Sequence, residues 1–186
     1  MNDNAQDLGA ARAAYYAANG MPPDGGISAA WVHAKLGPIP FAFPNSDSRR
    51  ELVPYHDLHH VLTGYTTDLA GEAQVGAWEI GSGMRAATGV LLDLLVWGFV
   101  VPAKPRIVLR AFVRGRRSRN LMPHTLDAAL LARSVGETRR ELHLDEVAAA
   151  PTGDDRLAFA GWTLLAVTLT WGPLIPLAWA LHWALA

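Results

Sequence analysis

The chain has no cysteine among its 186 residues, which excludes disulfides and thiolate metal ligands. It has almost no net charge: 16 Lys and Arg offset 17 Asp and Glu, and the formal value of −1 gives no reason to expect nucleic acid. Met1 to Asn19 carries acidic residues and no apolar core segment, so it does not read as a secretory signal. No apolar–polar alternation bounded by turn signals stands out, and the expectation is an almost wholly helical protein. Charge is also missing from the last thirty residues, Leu157 to Ala186, which contain no Asp, Glu, Lys or Arg.

What is present divides into helices and breaks. The length suits one main domain with an appendage and a sizeable core. Asp7 to Asn19 is an alanine-rich helix ended by Gly20, with Pro22-Pro23 and Gly25-Gly26 after it. Residues 27–36 read as a second short helix capped by Ser28, and Gly37 through Pro44 and Asn45 as an irregular loop. Pro54 fits the first turn of a helix that Gly64 stops; Thr66 and Thr67 can cap the next, Asp68 to Ile80, which closes at Gly81 and Gly83. Met84 to Val101 is apolar except for Arg85 and Asp93, and reads as a buried central helix because Asp93 would be costly in lipid.

Lys104 to Arg119 carries seven of the basic residues. Arg106, Arg110 and Arg114 recur every four residues among apolar ones, a basic amphipathic helix. Such a helix can lie on an anionic membrane, hold a phosphate or carboxylate, or simply be a solvated face. Thr125 can cap a following helix, and Glu137 to Leu144 makes a further amphipathic turn or two.

The chargeless C-terminal stretch would run about 45 Å as a straight helix, beyond the roughly 30 Å hydrocarbon core of a bilayer. Gly172-Pro173 and Pro176 interrupt it, which leaves one kinked span or a shallow helical hairpin, with a buried pair of core helices as the alternative. Trp162, Trp171, Trp179 and Trp183 stand where interfacial anchors would. The reading is membrane attachment with the main domain on the cytoplasmic face, given the basic residues upstream. The expected organisation is therefore all-α: a single helical domain, residues 1–150, with a metal-binding helix pair, and a hydrophobic helical tail, residues 151–186.

The chemistry concentrates in His56-Asp57-Leu58-His59-His60 and in Glu72, twelve residues beyond His60. On a helix His56 and His60 lie about 40° apart around the axis and Asp57 about 100° from His56, so three potential ligands share one face. Glu72 would return about one turn into the next helix. Two imidazoles and two carboxylates suit zinc, or a harder ion such as magnesium or manganese. His59 lies about 100° from His60, and Glu79 about 20° from Glu72. Each can face the site, His59 as an orienting group or general acid. A membrane desaturase would need further histidine boxes, and an HD-type phosphohydrolase further histidines and a distant aspartate. His33, His124, His143 and His182 are scattered singly.

The motif His56-Asp57-x-x-His60, an eleven-residue gap and Glu72 resembles the signature of the fourth Coq protein of ubiquinone (coenzyme Q) biosynthesis. The surrounding HDLHHVLTGYTTDLAGEAQVGAWE, with Gly64, Gly71 and Glu79, is similar to that family's core stretch. RGRRSRNLMP and ETRRELHL, between Arg110 and Leu144, are similar to its closing helices. The likeness covers roughly residues 10–145. It implies an all-helical fold with a divalent metal, zinc first and magnesium, manganese or iron as alternatives, on His56, Asp57, His60 and Glu72. His59 and Glu79 would be the catalytic candidates.

It implies further a metal-dependent lyase, a decarboxylase that replaces the C1 carboxylate of a polyprenyl-hydroxybenzoate in a step coupled to hydroxylation. The partners would be a polyprenylated aromatic lipid, the membrane and other ubiquinone-biosynthesis enzymes, with a homodimer compatible. A non-catalytic prenyl-lipid-binding scaffold is the alternative. A prenyl tail needs an apolar groove, for which Leu91, Leu92, Leu94, Leu95, Trp97 and Phe99 are candidates and ordinary core the competing reading. Leu157 to Ala186 departs from the family pattern as an addition.

Overall fold

A computed structural model of the chain describes residues 3–36, 39–146, 150–176, 179 and 183. The elements follow largely from local signals. α1 (Leu8–Ala18) starts where the Asp7 carboxylate accepts the amide of Ala10, and the chain leaves it through Gly20 at φ +64. α2 (Asp47–Thr63) is capped by Ser46 and stopped by Gly64 at φ +77. It begins well before Pro54, which sits inside the helix rather than in its first turn. α3 (Leu69–Gly81) is capped by Asp68, whose carboxylate also accepts from the Thr66 hydroxyl. The Gly71 amide and the Thr66 hydroxyl hold the Asp68 carboxyl below its usual range.

α4 (Ala87–Val100), α5 (Pro105–Arg116), α6 (Ala128–Leu131), α7 (Val135–Glu141) and α8 (Gly153–Trp171) complete a mostly helical chain. Asp127, not Thr125, caps α6. The exception to the helical expectation is a hairpin. Residues 31–36 are strand β1 (Trp31–Leu36) instead of helix, paired antiparallel with β2 (Ile39–Pro44), where a loop was expected. Residues 37 and 38 of that expected loop lie outside the described residues. Val32, Ala34 and Leu36 do alternate with His33 and Lys35 before Gly37-Pro38, but the run is short. Pro40 and Pro44 obscure its partner; a two-stranded sheet tolerates them because each strand has an open edge.

The chain forms two compact units. Met1–Gly64 with Leu121–Glu141 holds α1, the hairpin, α2, α6 and α7; Tyr65–Asn120 with Leu142–Ala186 holds α3, α4, α5 and α8. In the second unit α3 and α5 cross at Gly81 and Gly115, where a methyl group would strike the carbonyls of Phe112 and Trp78. Around that crossing Trp97, Phe112, Leu94 and Ala166 are buried, with Phe159 stacked on Trp97.

α8 is thus built into this unit rather than appended to it. Trp97 Nε1 donates to Thr163, Trp171 Nε1 donates to the Gly98 carbonyl, and Arg116 and Arg117 both reach Asp155. The unit boundaries lie between Gly64 and Tyr65, Asn120 and Leu121, and Glu141 and Leu142. No helix among the described residues is long and apolar enough to cross a membrane. Trp179 and Trp183 are exposed, and the other residues beyond Pro176 lie outside the described ones. α4 is the buried helix expected of Met84 to Val101, with Asp93 only 6% exposed.

Candidate metal centre

The first unit supplies imidazoles. His56 and His60 stand one turn apart on α2 with their Nε2 atoms 3.2 Å from each other and ring centroids 4.8 Å apart, edge to face. His60 is buried and His56 half-buried. Tyr15 of α1 stacks on His60 at 5.7 Å. Its neighbour Tyr16 donates its hydroxyl to Asp57 Oδ2 at 2.9 Å. Asp57 is therefore turned to α1 while the imidazoles turn to each other. Burial and then the Asp57 charge push the Tyr16 phenol above its usual range, so it remains the donor. Gly25, at φ +69, covers this pair, and a Cβ there would lie 2.7 Å from the Tyr16 hydroxyl.

His59 is fully buried and is used differently. Its Nε2 accepts the Leu121 amide at 3.1 Å. A ring nitrogen that accepts a backbone N–H holds no proton, so the tautomer carries its proton on Nδ1. That makes His59 a tie between α2 and the start of the Leu121–Glu141 segment. The end of α2 is held by Arg139 of α7, which donates to the carbonyls of Leu62 and Val61, both at 2.9 Å, and to Asn4 at 2.8 Å.

The second unit supplies carboxylates. Glu72 lies in the first turn of α3, half-buried, and Glu79 two turns on, fully buried. Between them Gly76 admits α4: a Cβ there would meet Asp93 Cβ at 2.9 Å. Glu79 and Asp93 have carboxylate oxygens within 4.8 Å of each other. Two buried carboxylates at that range favour a shared proton or a cation.

Sequence reasoning found the histidines and both glutamates, but weighed Asp93 only as a cost in lipid. It missed Tyr15 and Tyr16, the only aromatic side chains in the AARAAYYAAN segment, and Arg139. The Leu121 amide carries no side-chain signal at all. The chain matches no protein-family profile, no curated protein and no solved structure.

Proposed function

We propose that the protein is a metal-dependent enzyme of ubiquinone biosynthesis that removes the C1 carboxylate of a polyprenyl-hydroxybenzoate, coupled to hydroxylation, at a membrane. The observation that carries the reading is the pair of Nε2 atoms 3.2 Å apart on α2. Two nitrogens on a tetrahedral zinc stand about 3.3 Å apart, given Zn–N of about 2.05 Å. The ring nitrogens of His56 and His60 and the carboxylates of Glu72, Glu79 and Asp93 are side chains able to hold such an ion. The proposed ligand set is His56, Asp57, His60 and Glu72, with Asp57 using the oxygen that Tyr16 does not bind. The resemblance of His56-Asp57-x-x-His60 and Glu72 to the ubiquinone-biosynthesis signature supplies the substrate class.

The chain's own residues account for much of what such a site needs. Tyr16 fixes the rotamer of Asp57, Tyr15 fixes the ring of His60, and the Leu121 amide sets the tautomer of His59. His59 is then a positioning residue. Glu79, fully buried, is the proposed acid–base group. A bound divalent cation would polarise the substrate carboxylate or phenolate and stabilise charge developing as carbon dioxide leaves. Zinc has no redox chemistry, so with zinc the electrons for hydroxylation come from the electron-rich ring or a partner.

The test is metal content of the purified protein together with ubiquinone level in cells carrying His60→Ala or Glu72→Ala. Stoichiometric divalent metal in the wild type, lost in both variants with build-up of the carboxylated precursor, is expected. Normal ubiquinone in those cells would refute the enzyme and leave a lipid-presenting scaffold.

A further inference from the structure

α8 is apolar on both of its faces, and only one of them is covered. Ala166 is fully buried, and Phe159 and Trp162 pack into the core of the second unit. On the other side Leu157, Gly161, Leu164 and Thr168 fall within about 40° of one line along the helix, while the Trp171 indole at its end turns to Gly98 and Phe99 of α4. Leu157 is 75% exposed and Leu164 70%; past Gly172-Pro173, Ile175 continues the exposure at 71%. A Cβ placed on Gly161 meets no atom within 4 Å. A helix that is apolar all round belongs in a core or in lipid. Half of this one is in neither.

We propose that the outer face of α8 is the surface by which the protein lies on one leaflet of a lipid bilayer, parallel to its plane. The inference deepens the membrane component of the proposed function and is independent of the metal. A spanning orientation is excluded for α8 because its inner face is already packed on α4 and α5 and no helix among the described residues is long and apolar enough to cross. The choice of a bilayer over a second copy of the chain rests on charge. A helix–helix seam normally carries flanking charges that set register and partner. From Leu157 to Trp171 α8 has none, and its exposed arc also takes in Ala160 and Leu165, wider than a seam. The chain beyond Pro176 is uncharged at neutral pH, and its Trp179 and Trp183 are 67% and 65% exposed, as interfacial anchors would be. Arg156, exposed beside Leu157, and the exposed Arg106 and Arg110 of α5 complement anionic headgroups.

The experiment is flotation of the full-length protein with phosphatidylcholine vesicles, with and without phosphatidylglycerol, alongside its mass in solution. Leu164→Glu and Ile175→Glu change exposed side chains, and unaltered circular dichroism and melting temperature would establish that both fold. Wild type should float, more with phosphatidylglycerol, and each variant should partition about tenfold less. Variants that float like wild type would overturn the proposal. So would a wild type that stays behind, including one that is a dimer dissociated by Leu164→Glu, the outcome for a second copy. Metal content of the same samples reports separately: a protein that floats without metal defeats the enzyme reading and leaves this one standing.

Discussion

Each unit is held together internally by a different balance of forces. The unit built on α3, α4, α5 and α8 contains the whole of the main apolar cluster, from Ala73 through Trp97 and Phe112 to Ala166. The unit carrying α2 adds directed bonds to its own buried Leu8, Leu58, Leu62 and Leu121. Tyr16 holds Asp57, the Leu121 amide holds His59, and Arg139 holds the last carbonyls of α2. Asn45 donates to three carbonyls of the loop before β1, and Tyr55 bonds the His124 carbonyl and the Leu126 amide. Apolar packing supplies stability without regard to direction, whereas hydrogen bonds to side chains fix rotamers and tautomers. The unit with the imidazoles is the one whose side chains must point one way.

The sharpest way to expose that contrast is to damage each unit by its own mechanism. Trp97→Ala removes a fully buried indole stacked on Phe159 and set against Phe112, and should cost about 3–5 kcal/mol. Denaturant unfolding would register it, while the metal content of the folded fraction should be unchanged. Arg139→Met keeps the apolar stem of the side chain and loses its charged bonds to Leu62, Val61 and Asn4. It should cost about 2–3 kcal/mol and weaken metal binding as well, since the end of α2 loosens one turn from His60. Titration with zinc and urea unfolding of the same variant measure both. If Arg139→Met lowers stability and leaves metal affinity untouched, the polar ties are ordinary structure and the contrast between the units means nothing for the site.

The sequence was legible where a single residue decides the local backbone. Gly20 and Gly64 as helix stops and the start of α3 at Asp68 are all of this kind. So was the closeness of the two imidazoles, because His56 and His60 one turn apart need only helix geometry to meet. What could not be read is whatever depends on tertiary contact. The Leu121 amide reaching His59 joins residues 62 positions apart, and Arg139 reaches the carbonyl of a residue 77 positions away. The hairpin failed for a local reason: prolines at 40 and 44 look like loop punctuation unless the strand is known to have an open edge. The chargeless stretch after Leu157 was read by composition as a tail, yet half of α8's circumference is core, and composition alone does not distinguish one face from the other.

A smaller effect refines the comparison within the imidazole unit. Tyr16→Phe removes one hydroxyl and leaves the ring beside Arg12 and Tyr15. A bond to a carboxylate is worth about 1.5 kcal/mol here. The larger expected change is in metal affinity, about tenfold to a hundredfold weaker, because the Asp57 carboxylate loses the bond by which α1 orients it. Competition with a chelator would measure it. Equal affinities for Tyr16→Phe and wild type would place Asp57 outside the ligand set and leave His56, His60 and carboxylates of α3 to hold the ion.

The smallest expected effect belongs to the other unit, at the charged tie between α5 and α8. Asp155 caps α8 reciprocally with Thr152 and accepts Arg116 at 2.8 Å and Arg117 at 2.7 Å. The Thr152 amide first, and then the Arg117 guanidinium, hold its carboxyl down at about 2 despite burial. A carboxyl depressed in the folded state stabilises above its unfolded value of about 3.9 and stops doing so as pH falls through about 2. The Asp155 contribution is therefore complete at neutral pH and drains away between about pH 4 and pH 2. Because Arg116 and Arg117 are 37% and 30% exposed, water screens the pair. The loss should then be only about 1 kcal/mol. Asp155→Asn keeps an oxygen for the cap but cannot titrate, so its urea midpoint should fall less than wild type's between about pH 6 and pH 2.5. Identical acid sensitivity in the two proteins would mean that the α5–α8 junction, like the rest of its unit, is held by Phe112 and Phe159 and not by charge.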